Sequence, residues 1–527
     1  MMRWFRGLGA ASLGVALLGM ASFAPPAAAQ PQKTLRAVVH ADLKVLDPTW
    51  TTIYITNRYG YLVYDTLFSF NAKYEPKPQM VDTWTTSDDK LTWTFTLRPG
   101  LAFHDGAPVT SADVVASLKR WMAKISSGQN LAKFTQTVEA VDAKTFRLVL
   151  KEPFGMVLDA LGNPGTAFIM PERFAGQPLN EQITGSIGSG PFMMVRDQWR
   201  PGNKAVFVRN PNYQPRAEPA DFLSGGKIPK LDRIEWMYIP DANTTLSAMM
   251  NGEIDYFEAP PLDFIRLLKD SPDIVVKNID KLGVQGLIRP NSSFPPFNNY
   301  KARQAILHLI DQEEYMQAAV GDPSLSMKFC GAFFLCNSAN ETEVGAVRKP
   351  DIAKAKALLK EAGYNGEKII LLNPTDRPQY SAGIMVLAES LKRAGVTVEM
   401  QASDWSTISV RRARKDPPDK GGWHLFITTH GGPDPSVPST NGWFNSRCDK
   451  ANAGWACDET LEGLVDTWSR ELDPTKRRGL IEQIQMRAYE SLPYIPFGQF
   501  FQPVAFRKNV TGVLAAGQPV YWNIDKS

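Results

Sequence analysis

Along residues 34–40, and again along 92–98, large apolar side chains alternate with polar ones. A repeat of two puts alternate side chains on opposite faces, so each stretch predicts a strand with one buried face. In the second, Trp93, Phe95 and Leu97 alternate with Thr94, Thr96 and Arg98. Pro99-Gly100 then turns the chain, because Pro presets φ and Gly accepts φ > 0. Phe103-His104-Asp105-Gly106 reads as a short strand and a second turn. Thr110 is placed to cap a helix, with Asp113 three residues on, near the positive end of its dipole. Residues 145–150 are strand-like and 57–64 are helical. Further along the period lengthens. Ile352, Ala355, Leu358, Leu359 and Ala362 repeat at helical spacing behind Asp351, and Gly363 stops them. A helix is predicted over 301–320, and Asp473-Pro474 starts a last one through Glu490. Residues 369–372, 381–394 and 396–400 read strand, helix, strand, a βαβ unit that implies parallel pairing. The tail over 501–522 is strand-like again.

The N-terminus breaks from these patterns. Arg3 and Arg6 precede an apolar run of small residues, and Ala27-Ala28-Ala29 forms an A-x-A cleavage site. Residues 1–29 are therefore expected to be a signal peptide, with a mature chain from Gln30 in a bacterial periplasm. No Cys follows to carry a lipid, and no other apolar run is long enough to span a bilayer. A chain of 527 residues normally divides into more than one domain. Its formal charge of +4 falls to +2 without Arg3 and Arg6, and no Lys/Arg run suggests a nucleic acid or a membrane surface.

The four cysteines lie in two close pairs, Cys330/Cys336 and Cys448/Cys457, and allow three connectivities. Proximity and an oxidising compartment favour two local disulfides, each contributing at most ~3 kcal/mol through a small closed loop. The alternative is a metal site, although neither pair has C-x2-C spacing and no His lies nearby.

The stretch 93–115, WTFTLRPGLAFHDGAPVTSADVV, resembles the signature of the family 5 solute-binding proteins of ABC importers. That family comprises receptors for dipeptides, oligopeptides, nickel complexes, glutathione and some sugars. Further motifs resemble it in order: Leu46-Asp47-Pro48, Gly188-Ser189-Gly190-Pro191-Phe192, Asn210-Pro211-Asn212-Tyr213, 246–256 and Ala302-Arg303-Gln304-Ala305-Ile306. The resemblance covers nearly the whole mature chain. It implies an α/β, two-lobed periplasmic-binding-protein type II fold, of the large cluster C-like form, with an inserted extra domain and a hinge. By resemblance, 30–73, 186–284 and 500–527 form the first lobe, 74–185 the inserted domain and 285–499 the second lobe. A monomer working with an inner-membrane ABC permease and its ATPase is implied.

Candidate ligand contacts follow. Trp405 and Arg412 match a Trp and an Arg that oligopeptide receptors of the family place along one helix facing the cleft. A Trp offers a flat apolar wall and an Arg a bidentate clamp for a carboxylate. Without the resemblance, Trp405 reads as core and Arg412 as solvated surface. Residues 423–435 predict a buried strand running into a Gly-rich loop. Family members that bind peptides carry an Asp there for the ligand's ammonium group. Alignment on Pro435 puts Gly431 at that place and leaves Asp434 as the nearby carboxylate, a departure that speaks against a peptide. His430 and His424 fall on one face of the strand and could bind a metal complex, though a pair without a third ligand is more often structural. Trp50, Tyr54 and Trp443 lie on loops that the family uses around its ligand.

The first reading is a receptor that captures a peptide-like or other small polar solute by hinge closure, with no cofactor and no resident metal. The ligand could instead be a metal complex, glutathione, a sugar or an amine. A secreted hydrolase is the rival from another class, but the chain has no G-x-S-x-G and no H-E-x-x-H. A receptor that also serves chemosensing or chaperoning would use the same closed form.

Overall fold

The computed structural model describes residues 33–527, apart from 52, 164–166 and 433, and apart from the side chains of Ser126, Ser406 and Asp434. The expected signal peptide lies outside the described residues. Residues 33–527 form one compact unit built around three main sheets.

The first sheet has seven strands in the order Phe192–Met194, Lys204–Arg209, Arg233–Met237, Thr34–Val38, Tyr256–Phe257, Val504–Arg507 and Ile274–Lys277. Thr34–Val38 runs parallel to both of its neighbours, and the other pairs are antiparallel. The second sheet has five strands in the order Val398–Ser403, Ile369–Pro374, Leu425–Gly431, Val284–Pro290 and Ile495–Phe500. Here Ile369–Pro374 and Val398–Ser403 pair in parallel across the helix Pro378–Arg393, as the βαβ pattern predicts. A third, antiparallel sheet joins Val81–Thr86, Thr92–Leu97, Thr145–Leu150 and Thr135–Ala140.

The chain passes from the first sheet to the second between Lys277 and Val284, and returns between Phe500 and Val504. The four-stranded sheet shares a hydrophobic core with the five-stranded one: Phe95, Leu118, Trp121 and Phe146 are continuous with Trp468, Ile484 and Phe497. A separate core under the seven-stranded sheet holds Leu35, Tyr59, Trp236 and Trp522.

Two sequence motifs bond to each other. The backbone N–H of His104 donates to the Gly188 carbonyl at 2.8 Å, Gly188 N–H meets His104 Nδ1 at 3.2 Å, and His104 Nε2 lies 3.1 Å from the Gly190 carbonyl. Gly188 and Gly190 are required by close approach rather than by a turn. A Cβ on Gly188 would lie 1.9 Å from the Val63 carbonyl, and one on Gly190 2.6 Å from that of Leu62. The signature stretch is thus bonded directly to the Gly188–Phe192 motif.

Three expectations change. The stretch around Phe103 contributes a bridge between Ala102 and Pro108 instead of a strand, because Gly106 at φ 85° folds it straight back. The helix expected over 301–320 is two, Tyr300–Leu307 and Gln312–Ala319. Asp311 divides them by accepting from the backbone of Glu313 and Glu314, which is N-cap chemistry. The tail forms strands only at Val504–Arg507 and Val510–Thr511, and its Val520, Tyr521 and Trp522 are buried from a loop. Thr110 and Asp113 do cap the helix Ser111–Lys124, with Thr110 N–H donating to the Asp113 carboxylate at 2.8 Å.

Candidate functional site

A cavity of about 550 Å3 is lined by residues of both larger sheets, among them Val504 of the first and Val284, Thr429 and His430 of the second. One wall carries His40, Arg58, Glu258 and Asp280, and the other Thr429, His430 and Trp443. The walls meet at its edge, where Tyr54 Oη lies 3.5 Å from the Gly431 carbonyl.

The first wall is fixed by buried ionic chemistry. Asp47 is fully buried and accepts from Thr49 N at 2.8 Å, Ile183 N at 3.0 Å and Arg120 Nη2 at 3.1 Å. Arg120, itself buried, also donates to the carbonyls of Gln177 and Glu181. This hub holds the Leu46–Asp47–Pro48 loop and so presents Pro48 and Thr51 to the cavity. Next to them, Glu258 accepts from His40 N at 2.8 Å and pairs with Arg58, while Arg58 Nη1 lies 2.6 Å from His40 Nδ1. Burial lowers the Arg58 guanidinium to about 10. Burial, then the charges of Arg58 and Arg377, hold His40 well below the ordinary histidine range, so it is neutral.

The second wall is fixed by Arg289, which is buried without a carboxylate partner among the described residues. Its Nε donates to the Ala453 carbonyl at 2.7 Å, Nη1 to those of Trp443 and Pro493 at 2.7 and 2.5 Å, and Nη2 to that of Asn452 at 3.1 Å. Burial lowers it to about 9. Asn441 tightens the same loop, accepting from Trp443 N and Phe444 N at 3.2 Å. Trp443 is thereby held against the cavity.

The residues singled out from the sequence fall in several places. Tyr54, His430 and Trp443 line the cavity. His430 Nε2 lies 2.9 Å from Gln285 Oε1, and burial lowers its imidazole to about 3. His424 lies apart from the cavity lining, its Nδ1 accepting from Ile370 N at 3.0 Å, with burial lowering it to about 4. Among the described residues no group of three His, Cys, Asp or Glu side chains could hold a metal ion. Trp405 and Arg412 are together but stand behind the wall. The Arg412 guanidinium carbon lies 4.9 Å from the Trp405 ring centre and 5.3 Å from those of Phe426 and Trp443. Its Nη1 is buried without a hydrogen-bond partner. Trp50 is outside the lining, with Lys124 Nζ 4.6 Å above its ring. The Asp434 side chain lies outside the described residues, while its neighbours Gly431, Gly432 and Pro435 line the cavity.

Cys330 bonds to Cys336 and Cys448 to Cys457. The first loop is gripped by glutamines: Gln312 exchanges hydrogen bonds with Cys330, and Gln499 with Cys336. Sequence reading missed Arg58, Glu258 and Asp280. Glu258 follows the 246–256 motif, and Asp280 lies in a stretch to which the sequence patterns assign no element.

Two lobes joined by two chain crossings, with a cavity shared between them, define a type II periplasmic binding fold. The chain belongs to the bacterial extracellular solute-binding proteins, family 5, whose model matches residues 75–452. It is 39% identical over 499 residues to a Sinorhizobium fredii protein named "Probable peptide ABC transporter periplasmic-binding protein", covering 94% of each chain. It is 25% identical over 512 residues to the glutathione-binding protein of Escherichia coli strain K12, covering 95% of each. Among solved structures it resembles the binding protein AgaA of A. tumefaciens in complex with agropinic acid, with a TM-score of 0.79 and 22% identity. That match covers 94% of this chain and 99% of the other. The family is a receptor family, the substrate-binding component of ABC importers that work with a permease and an ATPase.

Proposed function

We propose that the protein, after removal of residues 1–29, is a periplasmic monomer that captures a small polar solute between its lobes and presents the closed form to its permease. The lobes are 30–73 with 186–284 and 500–527, and 285–499, with 74–185 as the inserted domain. The observation that carries this reading is the cavity, whose wall is divided between two sheets connected by two crossings. Such an arrangement lets a solute stabilise the closed form by touching both lobes at once. Tyr54, His430 and Trp443 are the contacts proposed from the sequence that support it directly. Trp405 and Arg412 act by holding Trp443.

A peptide-like solute agrees with the name of the 39% identical relative. A non-peptide solute is the second reading, favoured by Gly431 at the place where peptide receptors of the family carry an Asp. Native mass spectrometry of the protein taken gently from periplasm tests the proposal. One intact polar molecule per chain is expected. Chemical conversion of the solute would make the protein an enzyme instead.

A further inference from the structure

The segment that crosses from the seven-stranded to the five-stranded sheet carries Asp280 into the cavity wall. Its carboxylate accepts from Leu282 N at 2.9 Å, while its own N–H donates to Asn278 Oδ1 at 3.1 Å. These are turn interactions that an asparagine would make equally well without a charge. Burial raises the Asp280 carboxyl to about 6. No Lys, Arg or His pairs with it among the described residues. The Tyr74 phenol lies near it: burial and then the Asp280 charge raise that phenol above its ordinary value. The other carboxylate of the wall, Glu258, is already held by Arg58 and His40.

Beside Asp280 the wall carries aromatic rings. Phe222 lines the cavity and meets Tyr74 edge to face at 5.2 Å. Gly517, at φ 71°, leaves room for Phe222: a Cβ there would lie 2.7 Å from that ring. Beside it Gln518, in the same wall, has a buried Nε2 with no hydrogen-bond partner, and so does Arg58 at Nε. A buried polar group left unpaired is costly, and in a cavity a ligand can supply the partner. Among the described residues the wall thus presents an unpaired carboxylate at Asp280 and unpartnered polar atoms at Gln518 Nε2, Arg58 Nε and Ser127 Oγ.

We propose that Asp280 selects the solute of this cavity by pairing with a cationic nitrogen, while Gln518 Nε2 donates to an oxygen of the same molecule. Phe222 adds a π face beside the cation. The ligand class is a small amine or guanidine that also bears carbonyl or carboxylate oxygens. This rests on the receptor reading above.

The test uses the full mature protein and thermal-shift measurements at pH 7.5. The probes are a mixture of free-amine di- and tripeptides, the same mixture N-acetylated, L-arginine, and the uncharged sugars glucose and maltose. The solute carried out of periplasm is identified by mass spectrometry alongside. Expected is stabilisation by a free-amine or guanidine probe, its loss on N-acetylation, and a cationic nitrogen in the native solute. Asp280→Asn is expected to weaken that probe at least tenfold. In the wild type, binding of the cation should weaken as pH falls from 7.5 to 5, through the range in which Asp280 takes up its proton. Because the acetylation and pH arms use the unaltered chain, they decide the matter even if Asp280→Asn fails to fold. Equal binding of the N-acetylated or sugar probes, or a native solute without a cationic nitrogen, would overturn the Asp280 proposal and leave the receptor intact. A chain that binds no probe and leaves the periplasm empty would overturn both.

Discussion

At the scale of single residues, the cavity is defined by charges whose environments differ. Asp280 shows the consequence most directly. Its carboxyl titrates near 6 in the fold instead of at 3.8. Between those values the unfolded chain has lost the proton and the folded chain keeps it. Stability therefore falls as pH rises through this window and stays lower above it. Asp280→Asn should raise the stability of the empty protein at pH 7.5, by up to about 3 kcal/mol, and remove that slope between pH 4 and 6. Urea unfolding across pH checks it, and an unchanged slope would mean that Asp280 ionises as freely as in the unfolded chain. Trp443 lines the opposite wall with its ring, so Trp443→Ala should weaken the solute by about 2 kcal/mol, roughly 30-fold, in a titration. Trp405→Ala should act mainly on stability, because Trp405 touches Arg412 and Tyr380 and lies outside the cavity lining. The spacing of Trp405 and Arg412 was readable, but the rings that enclose Arg412 come from Phe426 and Trp443, and only tertiary packing brings these together. Asp280 was illegible for a different reason: Asn-Ile-Asp-Lys-Leu-Gly is ordinary turn chemistry, and nothing local signals that the turn faces a cavity.

At the scale of elements, periodicity predicted Thr34–Val38, Thr92–Leu97, Thr145–Leu150 and Ile369–Pro374, because alternation is a local consequence of having one buried face, but it left strands such as Lys204–Arg209, Arg233–Met237 and Val284–Pro290 unread. It failed where a side chain overrode it, as Asp311 does in cutting 301–320 in two. The Leu46–Asp47–Pro48 loop was legible as a motif and not as a hub. Its meaning depends on Arg120, more than 70 residues on, which bonds to Asp47 in the interior. Asp47→Ala leaves that guanidinium buried without its carboxylate and should cost about 3–5 kcal/mol, measured by chemical denaturation. A loss under 1 kcal/mol would show that the carbonyls around Arg120 suffice. The disulfides should matter less. Each closes a small loop, Cys330–Cys336 is also held by glutamines, and reduction of either should cost about 3 kcal/mol or less. The reduced protein should still melt cooperatively and bind its solute.

At the scale of the molecule, the crossings at 278–283 and 501–503 are, among the described residues, the two covalent ties between the seven- and five-stranded sheets, and both contribute to the cavity lining. Asp280 and Gln502 belong to these crossings and also line the cavity, so a solute there touches the connection between the lobes as well as the lobes themselves. Small-angle scattering should show a larger radius of gyration when the solute is removed, because closure is favoured only by contacts made to both lobes. The most direct test of the account is a crystal structure of the protein with the solute it carries from periplasm. That molecule is expected between the lobes, with a nitrogen within hydrogen-bond distance of Asp280 and a face against Trp443. A solute bound elsewhere, with the space between Arg58, Asp280 and Trp443 filled by water, would contradict it.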